Sequence, residues 1–305
     1  MSILSELLAR HPKILAECAI AERLRRTPGI TLHPTLFNTP LIYGPAEARA
    51  AMSSLYQEYL DAAGEADLPL LLTAPTWRLD AERIATAGVS DSINEDAVSY
   101  LLQIRDQYRS SSPVLVGALT GPKNDCYRPD LAPTAEESEN FHSRQIEQLA
   151  ETPADFLLSQ TLPAVGEALG IARAMAATNK PYLISFCTGL DGKVLDGTPL
   201  PEAMDFIDQR VSRPPDGYFV NCTHPRFITA NYGVGTLTRL IGIQANASSK
   251  DVTQLDASTA TEADPVEDWA SAMLDLHAKH QVPTLGGCCG TTLAHMAQLI
   301  QPKKK

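Results

Sequence analysis

Eight short apolar runs constrain this chain more than any other feature of its sequence. They occupy residues 14–19, 69–73, 114–119, 156–159, 182–186, 218–221, 240–246 and 282–286. Each is close to continuously apolar, which is the pattern of strands covered on both faces. Amphipathic segments lie between them. Pro45 opens a pattern with Ala48, Met52, Leu55 and Tyr59 on one side, and proline suits a first helical position. Ser92 with Glu95, and Thr134 with Glu137, read as capping boxes at helix starts. Further helices are expected over 167–177, 203–211, 268–280 and 292–300. Eight β-then-α units predict an α/β fold, a single (β/α)8 TIM barrel, as one domain over residues 1–305. An open doubly wound sheet is the competing architecture. Its dinucleotide-binding form lacks support, because no Gly-x-Gly-x-x-Gly turn follows the first run.

Composition narrows the partners. The chain carries 36 acids against 25 bases, a net charge of −11, which argues against nucleic acid. No apolar run reaches the roughly 18 residues a membrane helix needs. The first ten residues lack a basic start and hold Glu6 within their apolar stretch, so no secretory signal is expected. The six cysteines, at 18, 126, 187, 222, 288 and 289, therefore point to a reducing, cytoplasmic setting. Two of them are adjacent, which favours thiolate or metal chemistry over a disulfide framework. Lys303, Lys304 and Lys305 read as a solvated tail.

Two motifs carry the chemistry. Gly286-Gly-Cys-Cys-Gly-Thr-Thr292 follows the eighth run, and its glycines are expected to allow tight turns. Val220-Asn-Cys-Thr-His-Pro225 follows the sixth. In a closed barrel those two strand ends share one rim, so Cys222, Cys288 and Cys289 can converge. Three thiolates around an open position is the arrangement of a catalytic zinc site. Cys288 and Cys289 alone also suit small core residues or a redox pair. His224 reads as a loop histidine with ordinary hydrogen bonds. His142, His277 and His280 read as helical, at the surface or capped. Cys18 and Cys187 read as buried thiols near the rim, and Cys126 lies in the long loop over 121–133, after the third run.

The Asn-Cys-Thr segment at 221–223 and the Gly-Gly-Cys-Cys-Gly-Thr segment at 286–291 resemble the paired zinc motifs of the homocysteine S-methyltransferase family. Weaker likeness follows in order: Gly121-Pro122, the helix around His142 and Gln145, Ile184-Ser-Phe186, and Asn246. The family fold is a (β/α)8 barrel. The resemblance implies a Zn2+ held by Cys222, Cys288 and Cys289, a small-molecule thiol acceptor such as homocysteine, and a separate methyl donor. It implies substrate contacts from Glu17, Gln160, Thr161, Ser185 and Asn246. A free alkyl thiol has a pKa of about 8.5, so coordination is what makes it a nucleophile at neutral pH.

The chain departs from the family pattern at three strand ends. Glu17 stands where the family has an aspartate, followed by Cys18, Ala21 and Glu22 in place of small or hydroxylic residues. Thr73-Ala-Pro-Thr-Trp77 lacks the family asparagine, and Trp77 reads as a pocket cover or as core. Gln160-Thr161 replaces Glu-Thr, which removes a charge-assisted contact to an ammonium group worth about 1.5–3 kcal/mol. Two other readings stay open beside homocysteine methylation. One keeps the zinc but changes the acceptor to another thiol or selenol, or uses a corrinoid partner. The other is a zinc-binding barrel without catalysis that holds a metabolite or a partner protein. Oligomeric state is not legible in the sequence.

Overall fold

The computed structural model describes residues 2–109, 111–255 and 262–300, so the lysine tail lies outside the described residues. Eight parallel strands close into a barrel in sequence order. They are β1 (Ile14–Ala16), β2 (Leu70–Ala74), β3 (Val114–Thr120), β4 (Phe156–Leu162), β5 (Tyr182–Phe186), β6 (Gly217–Thr223), β7 (Leu240–Ala245) and β8 (Thr284–Gly287). The helices are α1 (Ile3–Arg10), α2 (Ala21–Arg25), α3 (Ala46–Glu65), α4 (Ala81–Ala87), α5 (Ile93–Gln107) and α6 (Ala135–Glu151). They continue as α7 (Val165–Ala176), α8 (Leu200–Asp208), α9 (Pro225–Asn231), α10 (Val252–Leu255), α11 (Val266–His280) and α12 (Leu293–Ile300). Each of the eight apolar runs overlaps a strand. None of the helices is long and apolar enough to cross a membrane among the described residues.

The continuous apolar runs follow from two cores. Outward residues such as Leu15, Leu72, Val116, Ile184 and Val220 pack beneath the helices. Inward residues Ile14, Leu71, Leu115, Phe156, Leu158, Leu183 and Phe219 fill the barrel, and Leu4 and Leu7 of α1 plug its lower end. A helix at the N-terminus is absent from the sequence expectation, yet Ser2 caps it and its two leucines are buried. One step toward the C-terminal end, the inward rows turn polar: Leu71 gives way to Thr73, Leu183 to Ser185, Phe219 to Asn221. That change of chemistry marks the floor of the site.

Several local expectations need correction. Thr134 and Glu137 form the expected capping box of α6. Ser92 flanks α5 in a helical conformation, without a side-chain cap bond, so no capping box forms there. Pro45 occupies the cap position of α3, one residue before the helical turn begins. β1 is short: Glu17 still bonds through its backbone to Leu71 of β2 and Gly287 of β8, and residues 17–19 line the cavity above the strand. β4 runs on through Gln160 and Thr161, because a bulge lets the strand bend and continue. His142 is fully buried in the α6–α7 interface, where Nε2 lies 3.2 Å from Glu167 Oε1.

Candidate active site

The C-terminal rim opens into a cavity of about 380 Å³. Its walls come from the ends of β1, β2, β4, β6, β7 and β8 and from the loop after β3. Cys222, Cys288 and Cys289 line it together, with their sulfurs within 4.8 Å of one another. Cys222 Sγ lies 2.9 Å from Cys288 Sγ. The three therefore converge as the strand positions predict.

The backbone that presents them is held firmly. Cys288 N donates to Ala245 O at 2.7 Å and Ala247 N donates to Cys289 O at 2.9 Å, pinning the double-cysteine segment to the end of β7. Thr291 Oγ1 donates to Cys288 O at 2.6 Å and accepts from Ala19 N at 3.2 Å, which ties the same segment to the loop after β1. The role of the glycines differs from the sequence expectation. Gly286 and Gly287 belong to β8 and are small for the sake of close approach. A Cβ on Gly286 would stand 2.8 Å from Ala16 O, and one on Gly287 would stand 2.2 Å from Thr291 Oγ1. The turn itself falls at Gly290, with φ +80°.

Asn221 organises the neighbouring wall. Its Oδ1 accepts from Thr161 N at 2.8 Å and from Ser185 Oγ at 2.6 Å. Its Nδ2 donates to Thr161 Oγ1 at 2.7 Å and reaches Cys222 Sγ at 3.5 Å. Thr161 and Cys222 both have positive φ, +64° and +50°, beside irregularities in strand register. Such backbone costs on the order of 1–3 kcal/mol and persists where surrounding bonds over-determine it, as Asn221 does here.

The sequence-derived contact residues divide into two groups. Glu17, Gln160 and Thr161 line the cavity with the cysteines. Ser185 and Asn246 do not: Ser185 is buried behind Asn221, and Asn246 packs toward α11, where its carbonyl accepts from Trp269 Nε1 at 2.9 Å. Asn246 Oδ1 is buried without a hydrogen-bond partner. Gln160 Nε2 donates to Gln244 Oε1, and Gln244 Nε2 donates to the Glu17 carbonyl at 3.3 Å. Gln244 and Tyr127 are cavity residues that sequence reasoning missed. Gln244 is a polar residue inside an apolar run, which is a usable signal. Tyr127 lies in an irregular loop and has none. His224 caps α9, accepting from Arg226 N at 3.3 Å, and burial pushes it down to about 4. Cys187 packs against Cys222, and Cys18 joins the cavity wall.

Electrostatics favour a cation at the sulfurs. For all three cysteines, hydrogen bonding among the sulfurs is the largest influence and acts in both directions; burial then leaves each thiol well above its ordinary range. Thiols crowded this way ionise only with a positive charge among them. The soft donor set and its opening to the cavity fit a thiophilic divalent metal. Tyr127 is half-buried and packs against the cluster, and desolvation, then the adjacent Cys222 and Cys289, raise its phenol well above the usual value. Glu17 is buried, which raises its carboxyl to about 8 despite hydrogen bonds from Thr73 N (2.9 Å) and Thr73 Oγ1.

A closed parallel barrel with three thiols clustered on its C-terminal rim defines a (β/α)8 enzyme with a sulfur-rich centre that could hold a metal ion. The chain belongs to the homocysteine S-methyltransferase family, whose sequence profile matches residues 7–301, and it is thereby a methyltransferase. It is 23% identical over 309 residues to the homocysteine S-methyltransferase YbgG of Bacillus subtilis, covering 95% of this chain and 94% of that one. Homocysteine S-methyltransferase 4 of Zea mays is 25% identical over 306 residues, covering 87% and 82%. Among solved structures, the homocysteine methyltransferase MmuM from Escherichia coli in its oxidized form superposes with a TM-score of 0.76 at 20% identity, covering 97% and 98%. Its metallated form gives 0.73 at 20% identity over the same shares. These superpositions support the barrel.

Proposed function

We propose that this enzyme transfers a methyl group from a small donor to the thiol of L-homocysteine, giving methionine, with zinc held by Cys222, Cys288 and Cys289. The single observation behind the metal assignment is the convergence of three sulfurs within 4.8 Å at one cavity. A bound zinc supplies an acceptor sulfur kept as thiolate with a lone pair free for attack. A reducing compartment, the cytoplasm, keeps such a cluster of thiols intact.

The chain's own residues position the reactants. Glu17, Gln160, Thr161 and Gln244 form the polar wall beside the sulfurs and orient the amino-acid end of the acceptor. Glu17, which burial keeps protonated up to about pH 8, gives its proton to solvent when an ammonium group settles beside it and gains a charge-assisted bond. Gln160, with Nε2 occupied by Gln244, presents Oε1 as an acceptor. Ser185 acts at one remove, by holding Asn221 and through it the Cys222 backbone. Tyr127 covers the sulfurs and keeps water from competing for the methyl group. Holding donor and acceptor in line removes much of the entropic barrier to displacement.

The test is calorimetric titration of L-homocysteine into reduced, zinc-loaded protein, with zinc assayed on the same sample. The expected result is one zinc per chain and zinc-dependent binding that releases protons. Cys289→Ala should lose most of the zinc and all methyl transfer. A reduced protein that takes up no zinc overturns the assignment. The paired amides Gln160 and Gln244 favour a second reading, in which the acceptor is a thiol without a free ammonium group. That reading predicts zinc uptake, no homocysteine binding, and binding of an uncharged thiol in the same calorimeter.

A further inference from the structure

Two guanidinium groups stand at the cavity without an assigned role. Phe37 and Trp77 stack with centroids 5.7 Å apart and planes 26° from parallel. Arg78 lies over both, 4.5 Å from the Phe37 centroid and 5.1 Å from that of Trp77, and Arg25 lies 5.6 Å from Phe37. All four residues line the cavity. A guanidinium stacked on a ring uses its face and leaves its N–H edge for a planar anion.

The neighbouring acids do not neutralise them. Neither Arg25 nor Arg78 is in an ion pair among the described residues. Asp80 caps α4 and pairs with Arg83, Asp125 accepts from Tyr127 N at 2.8 Å, and Glu22 pairs with Arg26. Arg78 is half-buried, and its Nε is buried with no hydrogen-bond partner. Arginine cannot shed its charge to relieve this, so the site is built for an anion that arrives with a ligand.

We propose that Arg78, assisted by Arg25, is a specificity-determining residue of this chain that binds a carboxylate of the methyl donor. This rests on the methyl-transfer reading above. The acceptor sulfur must sit at the three thiols, beside Gln160 and Gln244. In-line transfer then places the donor's methyl against that sulfur and the remainder of the donor toward the other side. Trp77 joins the two ends: Nε1 donates to Gln160 O at 3.1 Å, and its ring carries Arg78. The aromatic faces are already occupied by arginine, so the ligand meets the guanidinium edges.

The experiment compares paired probes that differ in the carboxylate. S-methyl-L-methionine is set against trimethylsulfonium, and glycine betaine against tetramethylammonium. Each is titrated by calorimetry into zinc-loaded, reduced, full-length protein without acceptor, and then supplied with homocysteine for initial rates. At least one carboxylate compound should bind about ten- to a hundredfold tighter than its stripped partner and be used with a correspondingly higher kcat/KM. Arg78→Met should collapse that ratio toward one, while Arg78→Lys and Arg25→Met retain part of it. The Kd for homocysteine should not change in Arg78→Met, whose folding is checked by thermal melting. No carboxylate preference in wild-type binding overturns the proposal even if no transfer is seen. A ratio unchanged in a folded Arg78→Met also overturns it. Weakened homocysteine binding with an unchanged donor ratio moves the carboxylate site to the acceptor and overturns it likewise. A donor preference without zinc-dependent homocysteine binding counts against the acceptor assignment and leaves this one standing.

Discussion

Glu17 illustrates how burial rather than sequence sets a charge state. Its ordinary value of 4.5 rises to about 8 in the fold because desolvation outweighs the two bonds from Thr73. The folded chain therefore binds a proton that the unfolded chain releases between those values. The associated stability is complete below about pH 4.5 and declines as pH rises to about 8, then levels off. Glu17→Gln lacks this dependence. Relative to wild type, the variant should gain stability with rising pH by up to about 1.4 kcal/mol per unit across that window. Urea unfolding of metal-free, reduced protein at pH 5, 6, 7 and 8 measures the difference. Parallel curves for the two proteins would contradict a buried, proton-holding carboxyl.

At the level of elements, strands were legible because each is covered on both faces and so is apolar along its whole length. The convergence of β6 and β8 ends was legible too, since barrel order alone puts Cys222 near Cys288 and Cys289. What the sequence hid is cross-strand geometry. Thr161 is placed by Asn221, sixty residues away in sequence, so nothing local announces the bulge that turns it. Ser185 looks like a rim residue but lies behind Asn221. Gly286 looks like a turn residue but serves close packing of β8 on β1. Here the structure makes a sharp prediction. An added methyl at Gly286 meets Ala16 Cβ at 2.7 Å and Ala16 O at 2.8 Å, and backbone cannot swing aside. Gly286→Ala should destabilise the protein by about 1–3 kcal/mol. It should also reduce zinc per chain by displacing Cys288. Full zinc content with an unchanged melting temperature would show that β8 has room the contacts deny it.

Across the whole molecule, the metal centre and the fold are separable. The barrel has one core inside and another beneath the helices, and its lower end is closed by α1; neither core includes Cys222, Cys288 or Cys289. The three thiols add a link between the ends of β6 and β8, across β7. Metal should thus stabilise by binding to the folded state, not by creating it. At a free metal concentration a hundred times the dissociation constant this amounts to about 2.7 kcal/mol. For a chain of 305 residues that corresponds to a rise of roughly 4 °C in Tm. Chelation of the reduced protein should remove the increment while leaving the far-ultraviolet circular dichroism spectrum and a single cooperative transition. Cys222→Ala should melt near the chelated wild type and respond no further to zinc. Unfolding on chelation would mean that the rim, rather than the two cores, holds the barrel closed. An unchanged Tm with zinc demonstrably bound would mean that the unfolded chain binds it equally well through the same thiols.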